Sequence, residues 1–411
     1  MTSLVFDIET DDLKATKIWC VSICDVHTEE VSSYYGDALL EGIKKLQRAD
    51  KLIGHNIIGF DIPVIKKLLN IDLSDKILVD TLVLSRLFNP IREGNHGLES
   101  WGFRVKLPKI NFEEYDKFSK EMVTYCERDV IINKKVYDVL CKEKAGFSRE
   151  SINLEQAVSG ILEQQRKKGF LLDIKFATLL VATLQDNLDR TVKEVHKEFK
   201  AEDHTLILYP TRTAAGKLSK MAVDSTGIKY RLNSEEYDAL NERDQIERIN
   251  RTEFNLGSRK QIGEYLQKFG WIPKNFTPTG QPIVDEGTLK RIKNIPQAQL
   301  IADYLMYQKR IAQIKSWLEK VEDDNRVRGF VNTNGTITGR MTHRNPNLAQ
   351  VPSPSSPFGK ECRSCWIVPP GYKLVGIDAS SLELRMLAHY MNDKEFTNEV
   401  LTGDIHTANQ K

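Results

Sequence analysis

Hydrophobic and polar positions in the first eighty residues switch between two periods. Leu4-Val5-Phe6 opens an apolar run, Ile18-Trp19-Cys20-Val21-Ser22-Ile23-Cys24-Asp25-Val26 repeats it, and Glu30-Val31-Ser32-Ser33-Tyr34-Tyr35 follows on the same scale. Such runs predict three strands joined as an antiparallel meander. Leu39, Leu40, Ile43 and Leu46 then recur at helical spacing, ending before Lys51-Leu52-Ile53-Gly54-His55-Asn56. Strand and helix patterns alternate through Val79-Asp80-Thr81-Leu82, which predicts an α/β domain over residues 1–145.

Beyond a break at Gly146-Phe147-Ser148 the helical period takes over. It predicts a helix from Glu150 to Lys168, then one capped by Asp173 and running to about Lys200, with apolar positions at Phe176, Leu179, Leu180, Leu184, Leu188, Val192, Val195 and Phe199. Regularity is lost at 201–256, an insertion with short strands such as Thr205-Leu206-Ile207-Leu208-Tyr209. Helices resume from Ser258 to Phe269, stopped by Gly270, and from about Gln297 to Glu322. Long paired helices around an irregular insertion suit a nucleic-acid-gripping thumb at 146–330; a generic helical domain fits the same pattern.

Composition changes this picture little. The 411 residues are 40% hydrophobic and 28% charged, with no apolar run of the roughly 18 to 20 residues a membrane span needs. No signal peptide is visible, which points to the cytoplasm and away from a membrane. Net charge is +2, with 21 Lys and Arg against 24 Asp and Glu (net −3) in residues 1–145 and 38 against 33 (net +5) in the remainder. An acidic start and basic remainder suit metal chemistry followed by a phosphate-binding surface. The six cysteines read as free thiols, and Cys362-Arg363-Ser364-Cys365, without a second pair, reads as an incidental C-x-x-C.

Three stretches carry candidate chemistry in the first domain. Asp7 and Glu9 lie two apart in a strand and leave the same face, where a divalent cation would hold their charges together; alone the pair also suits a surface strand. Asp61, after Asn56, Gly59 and Phe60, opens a helix and fits an N-cap as well as a ligand. Tyr125 and Asp129 share a helix face, as solvated pairs at that spacing commonly do. Together D-x-E, N-x-x-x-F-D and Y-x-x-x-D resemble the three motifs of the DEDDy 3′-to-5′ exonucleases. The resemblance implies a ribonuclease H-like fold, with Asp7, Glu9, Asp61 and Asp129 as ligands of two Mg²⁺ ions and Tyr125 orienting the attacking water. Asp7 would bridge the ions, Glu9 and Asp129 would hold the one that generates hydroxide, and Asp61 would act mainly through the second.

The last third has a second set. Thr336-Ile337-Thr338-Gly339-Arg340-Met341 and the run Leu374 to Arg385, written L-V-G-I-D-A-S-S-L-E-L-R, are similar to the T-G-R segment and first palm motif of family A DNA polymerases. The pattern predicts an apolar strand delivering Asp378 and a helix from about Ser381. The likeness implies Asp378 as a polymerase metal ligand, Glu383 in the gate against the ribose 2′-OH, Arg385 in the same motif, Arg340 and His343 near primer-template, and His406 near an incoming dNTP. The whole chain resembles the N-terminal part of a replicative polymerase of short-tailed phages, with 331–411 as the start of its palm. In such a polymerase the place of 201–256 binds host thioredoxin. No fingers helix or second palm carboxylate precedes Lys411. The expectation is therefore exonuclease action on DNA 3′ ends in the host cytoplasm, without DNA synthesis by this chain alone. The alternative is a DNA-binding subunit completed by a separate C-terminal polymerase chain.

Overall fold

The computed structural model describes residues 1–403, so the expectation for His406 lies outside the described residues. They form two compact units, Met1–Trp366 and a second from Ile367 onward.

The first unit opens with β1 (Ser3–Thr10), β2 (Ile18–Asp25), β3 (Val31–Tyr35), α1 (Leu39–Arg48), β4 (Lys51–Gly54), α2 (Asp61–Leu69) and β5 (Ile77–Asp80). Strand order is β3-β2-β1-β4-β5, with β1 antiparallel to β2 and parallel to β4. This is the α/β arrangement the pattern predicts, with the ribonuclease H-like fold that the exonuclease resemblance implies. The alternation along β1 explains both of its neighbours. Leu4, Phe6 and Ile8 pack with Ile43, Leu46 and Ile65 of α1 and α2, while Val5 faces Val130 on the opposite side. Asp7 and Glu9 share the parity of Val5 and so face the long helix that carries Val130.

That helix is α5 (Lys120–Glu143), which follows α3 (Thr81–Phe88) and α4 (Leu98–Arg104). Ser119 caps it, its side chain accepting from Met122 N–H at 3.1 Å. Met122, Val123 and Cys126 pack on Cys20 of β2, and Ile132, Val136 and Leu140 pack with Leu84, Leu98 and Trp101.

α6 (Arg149–Lys168) and the short β6 (Phe170–Leu172) lead into α7 (Ile174–Glu198), capped by Asp173 as expected. The insertion is more regular than its sequence suggests. β7 (Glu202–Arg212), β8 (Leu218–Val223), β9 (Lys229–Arg231), α8 (Ser234–Glu242) and β10 (Ile246–Thr252) make a four-stranded sheet of order β10-β7-β8-β9. Its inner face, Leu208, Leu218, Ala222 and Ile246, packs with Leu240 of α8. Its other face also carries apolar side chains, Ile207, Tyr209 and Ile249, left exposed, so the run shows no clean strand alternation.

α9 (Arg259–Lys268) ends at Gly270, whose φ of +91° suits only glycine comfortably. α10 (Glu286–Arg291) precedes α11 (Pro296–Leu318), which runs antiparallel to α7: Ala302 meets Val195 in one cluster, and Trp317 meets Leu180 in another. α11 stops four residues before the expected Glu322, because Val321 bridges back to Val327 and a turn at Asn325 (φ +58°) starts β11 (Arg326–Val327). β12 (Phe330–Asn332) and β13 (Thr342–Arg344) form a hairpin, and α12 (Gly359–Ser364) closes the unit. Cys362 and Cys365 are fully buried beside Trp317, and burial pushes the Cys365 thiol up to about 12. The C-x-x-C is core packing.

In the second unit α13 (Leu382–Met391) and α14 (Lys394–Thr402) pack through Leu384, Ala388, Phe396 and Val400. The strand expected at Leu374 to Asp378 does not form. A strand exists only where a ladder satisfies its backbone, and no described strand pairs here; Val375 and Ile377 are 77% and 94% exposed. Among the described residues no helix is long and apolar enough to cross a membrane.

Candidate metal centre

Three elements bring four acids to one place. β1 supplies Asp7 and Glu9, the first residue of α2 supplies Asp61, and α5 supplies Asp129; Glu9, Asp61 and Asp129 are 7%, 3% and 4% exposed. Asp61 is not the N-cap of α2. Phe60 holds that position, and the Asp61 carboxylate turns inward to accept the Ile8 N–H at 3.2 Å. The reading of Asp7 and Glu9 as a plain surface strand falls with the burial of β1 on both faces.

The turn before Asp61 is built tightly. A Cβ at Gly54 would fall on Ile57, and Asn56 adopts a left-handed φ of +67° that Asn tolerates better than most residues. Asp80, 1% exposed at the end of β5, holds this turn: its carboxylate accepts from Asn56 N–H at 2.9 Å, Ile58 N–H at 3.1 Å and Leu82 N–H at 3.0 Å. Sequence reading passed over Asp80, although an acid between a strand and a helix is an N-cap pattern.

Burial and mutual repulsion raise the proton affinity of the acids. Burial first, and then the Cys20 thiol and Asp129, push Glu9 up to about 9; burial pushes Asp61 up to about 7, against the donation from Ile8. Asp7 rises well above the ordinary carboxylate range through burial and then Asp61, Glu9 and Asp129. Asp129 is raised by burial, opposed by Lys109, whose Nζ stands 2.5 Å from Asp129 Oδ2. Lys109 also lies 4.6 Å from the centre of the Tyr125 ring. Tyr125 itself is packed by Phe112 and hydrogen-bonded to Tyr115, and burial and Asp129 raise its hydroxyl pKa. Nothing in the spacing of Lys109, in the loop before α5, marks it beforehand.

This donor set fits divalent cations. Asp129 Oδ1 is buried and has no hydrogen-bond partner, and one oxygen each from Asp7 and Glu9 lies within 4.8 Å of the other and of Cys126 Sγ. Hard carboxylate oxygens in surplus over nearby protein cations are what Mg²⁺ takes.

A cleft of 750 Å³ is lined on one side by His55, Asn56 and Arg86 and on the other by Asn332, Asn334 and Arg344 from the β12–β13 hairpin. Arg340 and His343 belong to this hairpin: Arg340 is exposed beyond a turn in which its N–H donates to Thr336 Oγ1 at 2.9 Å, and His343 pairs with Val331. The hairpin residues are therefore separate from the acid cluster. Asp378, Glu383 and Arg385 lie in the second unit. Asp378 is exposed in the unpaired stretch, Glu383 is in the first turn of α13, and Arg385 Nε donates to Ser380 O at 2.8 Å.

The model of DNA polymerase family A matches residues 229–411, and that of the RNase_H superfamily matches residues 4–101. The DNA-directed DNA polymerases of Enterobacteria phage T3 and Escherichia phage T7 are each 30% identical to this chain, over 99% of it and 72% of their own length. DNA polymerase I of Helicobacter pylori strain J99 is 27% identical over 88% of the chain and 35% of its own length. Among solved structures, the POL domain of Pol1 from M. smegmatis in complex with DNA primer-template and dNTP superposes with a TM-score of 0.65 at 15% identity. That likeness covers 96% of this chain but 59% of that one, and at this identity it speaks for the fold alone.

Proposed function

This chain belongs to the family A DNA polymerases, and from that premise we propose that its N-terminal α/β domain is a 3′-to-5′ exonuclease that removes nucleotides from single-stranded DNA ends. The convergence of Asp7, Glu9, Asp61 and Asp129 carries the reading. Two Mg²⁺ ions, when bound, supply positive charge at the scissile phosphate and lower the pKa of the attacking water. Asp7, on which Asp61, Glu9 and Asp129 all act, would hold both ions; Glu9 and Asp129 would hold one, and Asp61, anchored by Ile8, the other. Tyr125 would orient the water. Lys109 would release Asp129 when the cations bind.

The rest of the chain carries the thumb and part of the palm of a template-directed polymerase. Asp378 is its metal ligand, Glu383 and Arg385 line the nucleotide site, and Arg340 and His343 touch primer-template. In the 750 Å³ cleft Arg86 and Arg344 offer cations to the phosphates of a bound single strand. On the insertion, Ile207, Tyr209 and Ile249 are exposed on the sheet face opposite α8, which suits a docking protein of the thioredoxin kind.

The test is hydrolysis of a 5′-labelled single-stranded oligonucleotide by the purified chain with Mg²⁺. Shortening from the 3′ end is expected, and the Asp7→Ala, Glu9→Ala double variant abolishes it. Unchanged hydrolysis in that variant overturns the assignment.

A further inference from the structure

The acid cluster contains a sulfur that an all-oxygen magnesium centre has no use for. Cys126 precedes Asp129 by three residues on α5, so both project toward β1. Its Sγ lies within 4.8 Å of oxygens of both Asp7 and Glu9, and donates to Asp7 O at 3.4 Å and to Asp7 Oδ2 at 3.8 Å. Behind it is a second thiol, Cys20, opposite Glu9 in the β1–β2 ladder and hydrogen-bonded to Cys126. Both cysteines are fully buried. A separate observation points to a ligand in the same acid cluster: Asp129, whose charge acts on both Asp7 and Glu9, has a buried Oδ1 without a hydrogen-bond partner on a side chain only 6% exposed.

We propose that this centre also takes a thiophilic divalent cation of the Zn²⁺ and Cd²⁺ class, bound by Cys126 Sγ together with carboxylate oxygens of Asp7 and Glu9. The inference rests on the reading of the acids as a metal centre and adds a sulfur ligand to it. Around a tetrahedral ion, bond lengths of about 2.3 Å to sulfur and 2.0–2.2 Å to oxygen put neighbouring donors about 3.6 Å apart, close to the 3.8 Å between Cys126 Sγ and Asp7 Oδ2, so a side-chain shift of about 1 Å closes the site. Thiolate favours the softer ion, and divalent affinity for mixed donors rises well above that for Mg²⁺ at Zn²⁺. On binding, the Cys126 S–H proton passes to solvent and a sulfur–metal bond forms, with no change of oxidation state. The hydrogen bond with Cys20 holds the sulfur in place. The same position thus takes Mg²⁺ for hydrolysis or a thiophilic ion that competes with it.

The experiment titrates the reduced full chain with Cd²⁺, following the ultraviolet sulfur-to-cadmium charge-transfer band and the heat of binding, with and without excess Mg²⁺. One equivalent raising the band, weakened by Mg²⁺, is expected. Cys126→Ser removes that band and lowers Cd²⁺ affinity by at least the about tenfold that follows loss of a ligand's hydrogen-bond partner. Asp7→Asn and Glu9→Gln lower the affinity with the thiol intact, and carry the test if Cys126→Ser does not fold. Cys365→Ser leaves the first equivalent unchanged. A band that persists in Cys126→Ser, or equal affinity in both carboxylate variants, overturns the proposal. Thiol-independent Cd²⁺ binding beside normal Mg²⁺-driven hydrolysis would sink this inference alone; the expected Cd²⁺ pattern in a chain that cleaves no DNA would sink only the nuclease reading.

Discussion

Lys109 Nζ stands 2.5 Å from Asp129 Oδ2 and over the ring of Tyr125, so a cation of the chain's own sits inside its acid cluster. It lowers the proton affinity of Asp7, Glu9 and Asp129 together. Lys109→Met is therefore expected to move the acidic limb of the pH–rate profile for single-strand hydrolysis to higher pH, by about one unit. A limb that stays in place would show that Lys109 is a bystander.

The metal-free chain should lose stability as pH rises. Glu9 goes from the ordinary 4.5 to about 9 on folding and Asp61 from 3.8 to about 7, so between these limits unfolding releases protons. The stabilisation is complete below the unfolded values and is lost as pH climbs through the folded ones. In a chelator, the apparent melting temperature should fall between about pH 5 and pH 9, and Asp61→Asn should flatten that fall. Mg²⁺ or Mn²⁺ should restore stability most at the alkaline end. Scanning calorimetry across pH decides it, and a metal-free chain that gains stability over this range contradicts the clustering.

Asp80 is expected to matter as a positioning residue. Asp80→Ala leaves the N–H groups of Asn56, Ile58 and Leu82 without their acceptor, at about 1–3 kcal/mol for the buried Ile58 group and less for the two part-buried ones. Asp80→Asn keeps an oxygen and should recover much of the loss. Denaturant midpoints of the two variants give the stability difference. Hydrolysis should fall in Asp80→Ala even below its unfolding range, because the turn that aims Asp61 is released.

Trp317→Ala removes a fully buried ring from the base of the α7–α11 pair and should cost about 3–5 kcal/mol. Hydrolysis of single-stranded oligonucleotides at low temperature should be unaffected, since the ring touches none of the acids. Thermal melts paired with rate measurements test both halves.

Asp7, Glu9, Asp61 and Asp129 were picked out through the exonuclease motifs they resemble; period alone set the shared face of Asp7 and Glu9 and left the surface-strand, N-cap and solvated-pair readings open. Lys109 was not: it lies in a loop, where no period says which way a side chain points. Cys126 lay in view beside Tyr125 but reads as a core residue until β1 is placed against α5. The insertion sheet was hidden because only Leu208, Leu218, Ala222 and Ile246 need burying across three of its strands. At Leu374 to Asp378 the apolar pattern of a strand was present, but a pattern supplies no hydrogen-bonding neighbour.

α7 and α11, 25 and 23 residues long, lie side by side for about 35 Å at the helical rise of 1.5 Å per residue. The four-stranded sheet is spliced in after the far end of α7, and the chain returns to α11 there, where Gln297 donates to Glu198 at 3.0 Å. The pair is thus a cantilever whose load and anchorage are at opposite ends. A push on β7 to β10 reaches Trp317, Leu180 and Cys365 as a tilt of the whole rod, which makes that aromatic base the fulcrum on which the tip turns.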